Sequence, residues 1–259
     1  MSEILLVDDI SVEFDGFTVL DHLDLSIHAG ELRFLIGPNG AGKTTLLDIV
    51  TGRIRPRSGR VLFGGSDISR WSEHRRVRAG IGRKFQTPSI FPSLSVAENM
   101  EVALGCTEGT LRLLRQLAPH QRDRIDEVLT LVGLVDRRGL RAGALAHGEM
   151  QWLEIGMLLV QNPQLLLLDE PIAGMTRHER DRTGQLLQTL TRTHSIIVVE
   201  HDMEFMRQFA REVTVLHLGR VLMHGDVEAV QEDARVREIY LGPKRESVPV
   251  RPTLVAVGG

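Results

Sequence analysis

The chain has 259 residues, 42% of them hydrophobic and 25% charged, and a formal net charge of −3 at pH 7. Such a chain reads as globular, with enough apolar content for one large domain or one domain carrying a subdomain. Its longest apolar runs, Leu165 to Leu168 and Ile196 to Val199 among them, fall far short of the ~20 residues of a membrane helix, and its mild negative charge gives no general attraction to nucleic acid.

The start, Met1-Ser2-Glu3-Ile4-Leu5, lacks the basic region and cleavage site of a secretory signal, so nothing there directs the chain out of the cytoplasm. From Ile4 to Ile36 the apolar spacing predicts short strands at Ile10 to Phe14, Thr18 to Leu20, Leu23 to Ile27 and Leu32 to Ile36, an antiparallel sheet feeding a final buried strand. That strand runs into Gly37-Pro38-Asn39-Gly40-Ala41-Gly42-Lys43-Thr44-Thr45, which meets the spacing G-x-x-x-x-G-K-T. A polyphosphate is multiply anionic and calls for inward-pointing backbone N–H groups, which glycines allow the chain to aim. The helix predicted over Thr44 to Thr51, closed by Gly52, turns its positive end on the phosphates. Lys43 adds a full charge near the β and γ groups, and Thr44 offers a hydroxyl to Mg²⁺. A plain glycine-rich turn would have no use for Lys followed by Thr.

Gly59 to Phe63 predicts another strand. The basic clusters Arg53, Arg55, Arg57, Arg60 and Arg75, Arg76, Arg78 read mostly as solvated surface. A turn-rich stretch from Gln86 to Ser95 leads to helices at Val96 to Leu104, Leu111 to Leu117 and Arg122 to Val132, a separate helical insert. The single cysteine, Cys106, lies in it and is expected as a buried small hydrophobe in a reducing compartment. Gly148 to Gln161 predicts one more helix, stopped by Asn162-Pro163. Leu165-Leu166-Leu167-Leu168-Asp169-Glu170 is then an apolar strand delivering two carboxylates at its C-terminal end, beside the phosphate loop of an open α/β sheet. Asp169 can hold Mg²⁺, and Glu170 can polarise the water that attacks the γ-phosphorus. Arg177 to Thr193 and Met203 to Arg211 predict helices around a strand at Ile196 to Glu200. Val213 to Leu218 and Val221 to His224 predict a hairpin joined at Gly219-Arg220, and the Pro-rich 243–259 predicts a weakly ordered tail.

With these motifs in order, the chain resembles the ATP-binding subunits of ABC transporters from about Ile4 to about Gly242. The resemblance implies a P-loop NTPase core of the RecA-like kind with an antiparallel β subdomain (1–85 and 163–242) and a helical subdomain (86–162). ATP and Mg²⁺ are the implied cofactors. Gln86 takes the Q-loop position, reaching metal and attacking water. Leu145-Ala146-His147-Gly148-Glu149 takes the place of the signature that holds the γ-phosphate of a partner's ATP. Ile172-Ala173-Gly174-Met175 takes the D-loop position, and His201 that of the switch histidine, completing a catalytic set of Glu170, His201 and Gln86 with Thr44, Gln86 and Asp169 on the metal. Phe14, with Phe17 as its rival, would stack on adenine, and either could instead be core.

The partners so implied are a second ATP-binding subunit, in a heterodimer or a homodimer, two membrane permease subunits and, indirectly, a periplasmic solute-binding protein. No nucleic acid is implied. The place would be peripheral, on the cytoplasmic face of the inner membrane, with the stretch Phe85 to Met100 as the permease-docking face. Within the family, Arg83 to Gln86, His147-Gly148, Gln151 to Gly156 and Ala173 to Thr176 look most like the urea importer's D-type ATPase, related to branched-chain amino acid importer ATPases. Its signature departs from the family's: Ala146 lacks a serine hydroxyl and Glu149 adds a negative charge, so the composite site that this signature completes is expected to be the weaker one.

Overall fold

The computed structural model describes residues 2–84, 89–108 and 117–241. Strands β1 (Glu3–Phe14) and β2 (Phe17–His28) pair antiparallel over their whole length, and β4 (Ser58–Phe63) and the short β5 (Ser66–Asp67) extend them in the order β2-β1-β4-β5. The sequence predicts three short strands before residue 28, where two of twelve residues stand. The alternation breaks because the ladder is bulged. Its register shifts between Val7 and Ile10 and again before Val12, and Asp9 and His22 sit at positive φ with their side chains 2.6 Å apart. Each bulge swaps the face that points inward, so a period-2 reading stops although pairing goes on.

The second sheet has the order β10-β9-β3-β8-β7-β6. Strands β3 (Leu32–Ile36), β6 (Ile81–Lys84), β7 (Leu165–Asp169), β8 (Ser195–Val199) and β9 (Glu212–His217) run parallel, and β10 (Arg220–Asp226) closes the edge antiparallel. The unbroken apolar runs of β3, β7 and β8 reflect burial on both faces. Leu165, Leu167 and Ile197 pack toward the antiparallel sheet and helix α1 (Lys43–Thr51), with Leu5, Ile10, Leu20 and Leu47. Leu166, Leu168 and Val198 face the opposite way. There they meet α5 (His147–Leu159), α6 (Arg177–Leu190) and α7 (Met203–Phe209) through Leu153, Leu187 and Phe205. Helices α3 (Val96–Glu108) and α4 (Pro119–Leu131) join the same core through Met100 and Leu129. The short α2 (Glu73–Arg78) precedes β6, and α8 (Val227–Glu232) and α9 (Ala234–Leu241) follow β10.

Two expectations are corrected. Arg76 is buried, not solvated: its guanidinium donates to the carbonyls of Ile49 (2.6 Å), Val50 (2.9 Å), Ser69 (3.1 Å) and Trp71 (3.3 Å), closing the C-terminal end of α1. The β9–β10 turn is Leu218-Gly219, both at positive φ as a two-residue hairpin turn requires, one residue before the expected Gly219-Arg220. The expectations for Cys106 and for the tail 243–259, and most of the one for Leu111 to Leu117, concern side chains or segments outside the described residues.

Candidate nucleotide site

Because β3, β8, β7 and β6 lie side by side and parallel, their carboxyl ends deliver successive loops to one edge. These are the Gly37 loop, Glu200-His201, Glu170 and, at the end of β6, Lys84. Gln86 itself lies outside the described residues. Its flanks are tied to α5, since Glu154, buried there, pairs with Lys84 at 3.3 Å and accepts from the Ser89 N–H at 2.5 Å.

The phosphate loop is curled around its own lysine. Lys43 Nζ donates to the carbonyls of Gly37 (2.7 Å) and Pro38 (3.0 Å). Partial burial pushes the Lys43 ammonium pKa down, while the charges of Asp169 and Glu170 oppose that shift. Gly42 caps α1 at φ 101°, and a Cβ there would lie 2.4 Å from Leu20 Cδ2. A Cβ on Gly37 would lie 2.3 Å from the Leu216 carbonyl oxygen. Both positions therefore require glycine. Asn39, Gly40 and Thr44 are exposed, and Ala41 is buried beneath the loop, its N–H donating to Pro38. Phe14 and Phe17 pair across the β1–β2 hairpin tip at 44% and 77% exposure, both open to a planar ligand.

Asp169 is 2% exposed. Its Oδ2 lies 3.8 Å from Arg83 Nη2, and its Oδ1 has no hydrogen-bond partner. Burial raises its carboxyl pKa and Glu170 adds to the rise, while Arg83, Lys84 and Lys43 oppose it. A buried carboxylate oxygen left without a partner, at the strand end facing the phosphate loop and within electrostatic reach of Lys43, fits Mg²⁺, which is held through one or two carboxylates plus substrate phosphates. Glu170 sits at φ 48°, a left-handed backbone uncommon for a non-glycine residue, with its N–H still donating to Val199 at 3.0 Å. The kink turns its side chain out of the strand, and Oε1 comes within 3.5 Å of His201 Nδ1.

Around the signature, Ala146 caps α5. Its N–H donates to Glu149 Oε2 at 3.0 Å, and Glu149 Oε1 accepts from Arg137 Nε at 3.1 Å. The added carboxylate is thus shared between a helix cap and a guanidinium, which offsets the charge part of the expected weakness; the missing hydroxyl at Ala146 stays missing. His147 Nε2 donates to the Ala173 carbonyl at 3.0 Å, joining the signature to the turn after Glu170. Leu145 is buried, and a side chain on Gly148 would run into Glu179.

Sequence reasoning passed over Glu200, which is buried at the end of β8. The signal was present: Val198-Val199-Glu200-His201 ends an apolar strand on an acid just as Leu167-Leu168-Asp169-Glu170 does.

Residues 20–173 match the family described as ABC transporter. This chain belongs to the ABC transporter family. Among curated relatives of this ABC ATPase, the probable branched-chain amino acid transport ATP-binding protein LivG of Methanocaldococcus jannaschii is 31% identical, covering 93% of this chain and 98% of its own. LivG of Escherichia coli is also 31% identical, covering 93% and 99%. The lipopolysaccharide export system ATP-binding protein LptB of Haemophilus influenzae is 30% identical, covering 92% and 97%. Among solved structures, the ADP conformation of an ATP-binding cassette of an ABC transporter superposes with a TM-score of 0.86 at 28% identity, covering 94% of this chain and all of that one. A nucleotide-free cassette gives 0.83 at 28%, covering 93% and all of that chain. The fold is that of a P-loop NTPase, and the ABC chain is an ATP-hydrolysing enzyme. Among the described residues, no helix is long and apolar enough to cross a membrane.

Proposed function

We propose that this ABC ATPase drives small-solute import and that its solute belongs to the branched-chain amino acid class. The observation that carries the reading is the meeting of Lys43, Asp169, Glu170 and His201 at one sheet edge, in a chain alike over almost its whole length to branched-chain amino acid transport ATPases. In this reading the curled loop Gly37 to Thr45 opens to exchange its own carbonyls on Lys43 for ATP phosphates, and Phe14 or Phe17 covers the adenine. Asp169, Thr44 and Gln86 would hold Mg²⁺, which supplies neutralising charge on the phosphates. Glu170 accepts the proton of the attacking water as its oxygen bonds to the γ-phosphorus and ADP departs, and His201 steadies the γ-phosphate.

The loop leaves one side of the γ-phosphate open. The signature of a second ATP-binding subunit closes it, and Leu145 to Glu149 of this chain does the same in return, so ATP acts as an adhesive between the two. Residues 1–85 and 163–242 make the ATPase core with its β subdomain, and 86–162 make the helical subdomain. Two permease subunits receive the closing motion near Phe91, which is half exposed, with the ATPase peripheral on the cytoplasmic face and a periplasmic solute-binding protein delivering the solute. Urea is the second reading, favoured by His147-Gly148, Gln151 to Gly156 and Ala173 to Thr176. The test is to purify the complex from its native membrane and measure ATP turnover with each solute. Stimulation by leucine, isoleucine or valine bears out the proposal. Stimulation by urea alone transfers the chain to the second reading.

A further inference from the structure

Glu200 has no part in the site as described so far, yet it sits behind it. Its side chain is 2% exposed. Oε1 accepts from the Ile172 N–H at 3.2 Å and Oε2 from the His201 N–H at 3.3 Å. Ile172 opens the turn two residues after Glu170, and His201 lies 3.5 Å from Glu170 through Nδ1. One buried carboxylate therefore grips the backbone on both sides of the Glu170–His201 pair. A carboxylate with no ion-pair partner among the described residues is a costly occupant for such a place, where a neutral side chain would be cheaper to bury. That cost points to a task.

We propose that Glu200 is a positioning residue for ATP hydrolysis, its ionised carboxylate holding the Ile172 and His201 backbones together so that Glu170 and His201 address the γ-phosphate in concert. The inference rests on the assignment of those two residues to the reaction. The geometry states why the charge matters. Two N–H donors converge on two oxygens, and both oxygens accept fully only when neither carries a proton. Protonation turns one oxygen into a donor that faces an N–H, and a glutamine there would do the same permanently. Burial lifts the Glu200 carboxyl to about 7, Glu170 adds to the rise, and the two backbone donors and His201 oppose it. The charged groups facing it are thus Glu170, after β7, and His201 on its own segment. Acidification through neutrality should release one of the two grips.

The test uses the full chain in the complex purified with its partners. Steady-state ATP turnover is measured between about pH 5.5 and about pH 9 for the wild type, Glu200→Gln and Glu170→Gln. The wild-type kcat should fall with acid through about pH 7 toward a lower plateau. Glu200→Gln should sit on that plateau at every pH, about tenfold below the wild type at alkaline pH, with the KM for ATP within about twofold, because positioning and not binding is lost. An acid limb that persists in Glu200→Gln, or a wild-type kcat in that variant at alkaline pH, overturns the proposal. Should the variant fail to fold, the wild type still decides, since a kcat that stays flat down to about pH 6 overturns it equally. Normal turnover in Glu170→Gln would sink the underlying assignment. A dead Glu170→Gln beside an unaffected Glu200→Gln sinks only the role of Glu200.

Discussion

Lys43 holds two loop carbonyls at 2.7 and 3.0 Å, so the loop keeps its curl only while the ammonium is there to be shared. Lys43→Ala should therefore abolish nucleotide binding, seen as the absence of any heat of association in calorimetry with ATP and magnesium. Glu170→Gln removes the carboxylate proposed as proton acceptor, and should lower turnover by about 100-fold or more while ATP stays bound between the two subunits. Normal ATP turnover in that variant would remove Glu170 from its role. Glu200 gives a prediction for stability. Its carboxyl rises from 4.5 to about 7 on folding, so between those values the native chain keeps a proton that the unfolded chain has released, and stability falls as pH rises through that window. Glu200→Gln carries no such titration. Its stability relative to the wild type should grow by about 3 kcal/mol between about pH 4.5 and about pH 7, read from urea midpoints at the two ends. A constant difference would mean that the buried carboxyl titrates normally. Lys43, Asp169 and Glu170 were legible in the sequence because each follows an apolar run or a glycine pattern. Glu200 follows one too, but nothing in the sequence shows that its carboxylate turns back onto the Ile172 and His201 backbones, a contact made only by the pairing of β7 with β8.

At the scale of elements, α1 is held at both ends by groups of unlike visibility. Its start is written in the sequence as Gly42-Lys43, while its end depends on Arg76, which arrives from α2 and donates to four backbone carbonyls. Nothing local distinguishes Arg76 from Arg75 or Arg78, and only the packing of α2 against α1 selects the one that turns inward. Replacing Arg76 with Leu fills similar space but withdraws every one of those donors, and should destabilise the chain by about 3 kcal/mol in urea unfolding. Arg75 is exposed and lies over the Trp71 ring at 3.9 Å, so Arg75→Leu should cost under about 1 kcal/mol. Equal losses in the two variants would mean that the guanidinium bonds at Arg76 add nothing to stability. The same division runs through the strands. Those of the parallel sheet are legible as apolar runs, whereas β1 and β2 read as fragments because bulges at Asp9 and His22 interrupt the alternation without interrupting the pairing.

At the scale of the whole molecule, the residues proposed for this chain's own nucleotide and those proposed for a partner's are joined by a short link. The turn after Glu170 is tied to Glu200 at Ile172 and to His147 at Ala173, so the groups for this chain's own ATP and the signature for the partner's share one peptide segment. The strand order that puts β8 between β3 and β7 creates that meeting, and no local pattern could show it. The signature also carries the clearest test of assembly. Arg137 accounts for one oxygen of Glu149 and the Ala146 N–H for the other, so the carboxylate adds little repulsion toward an incoming γ-phosphate. Arg137→Ala leaves Glu149 with the cap alone, and a full charge then stands at the helix end meant for an anion. Binding of ATP to the isolated chain should be unchanged, because its own loop is untouched. ATP-dependent association with the second subunit should weaken by about tenfold, which corresponds to about 1.4 kcal/mol, and size-exclusion chromatography with the Glu170→Gln background would read it. Adding Glu149→Gln to Arg137→Ala should restore association, because it removes the charge that the arginine had been offsetting. If the double variant stays as weak as the single one, Arg137 acts through packing, and the expected weakness of this signature must be assigned to Ala146 alone.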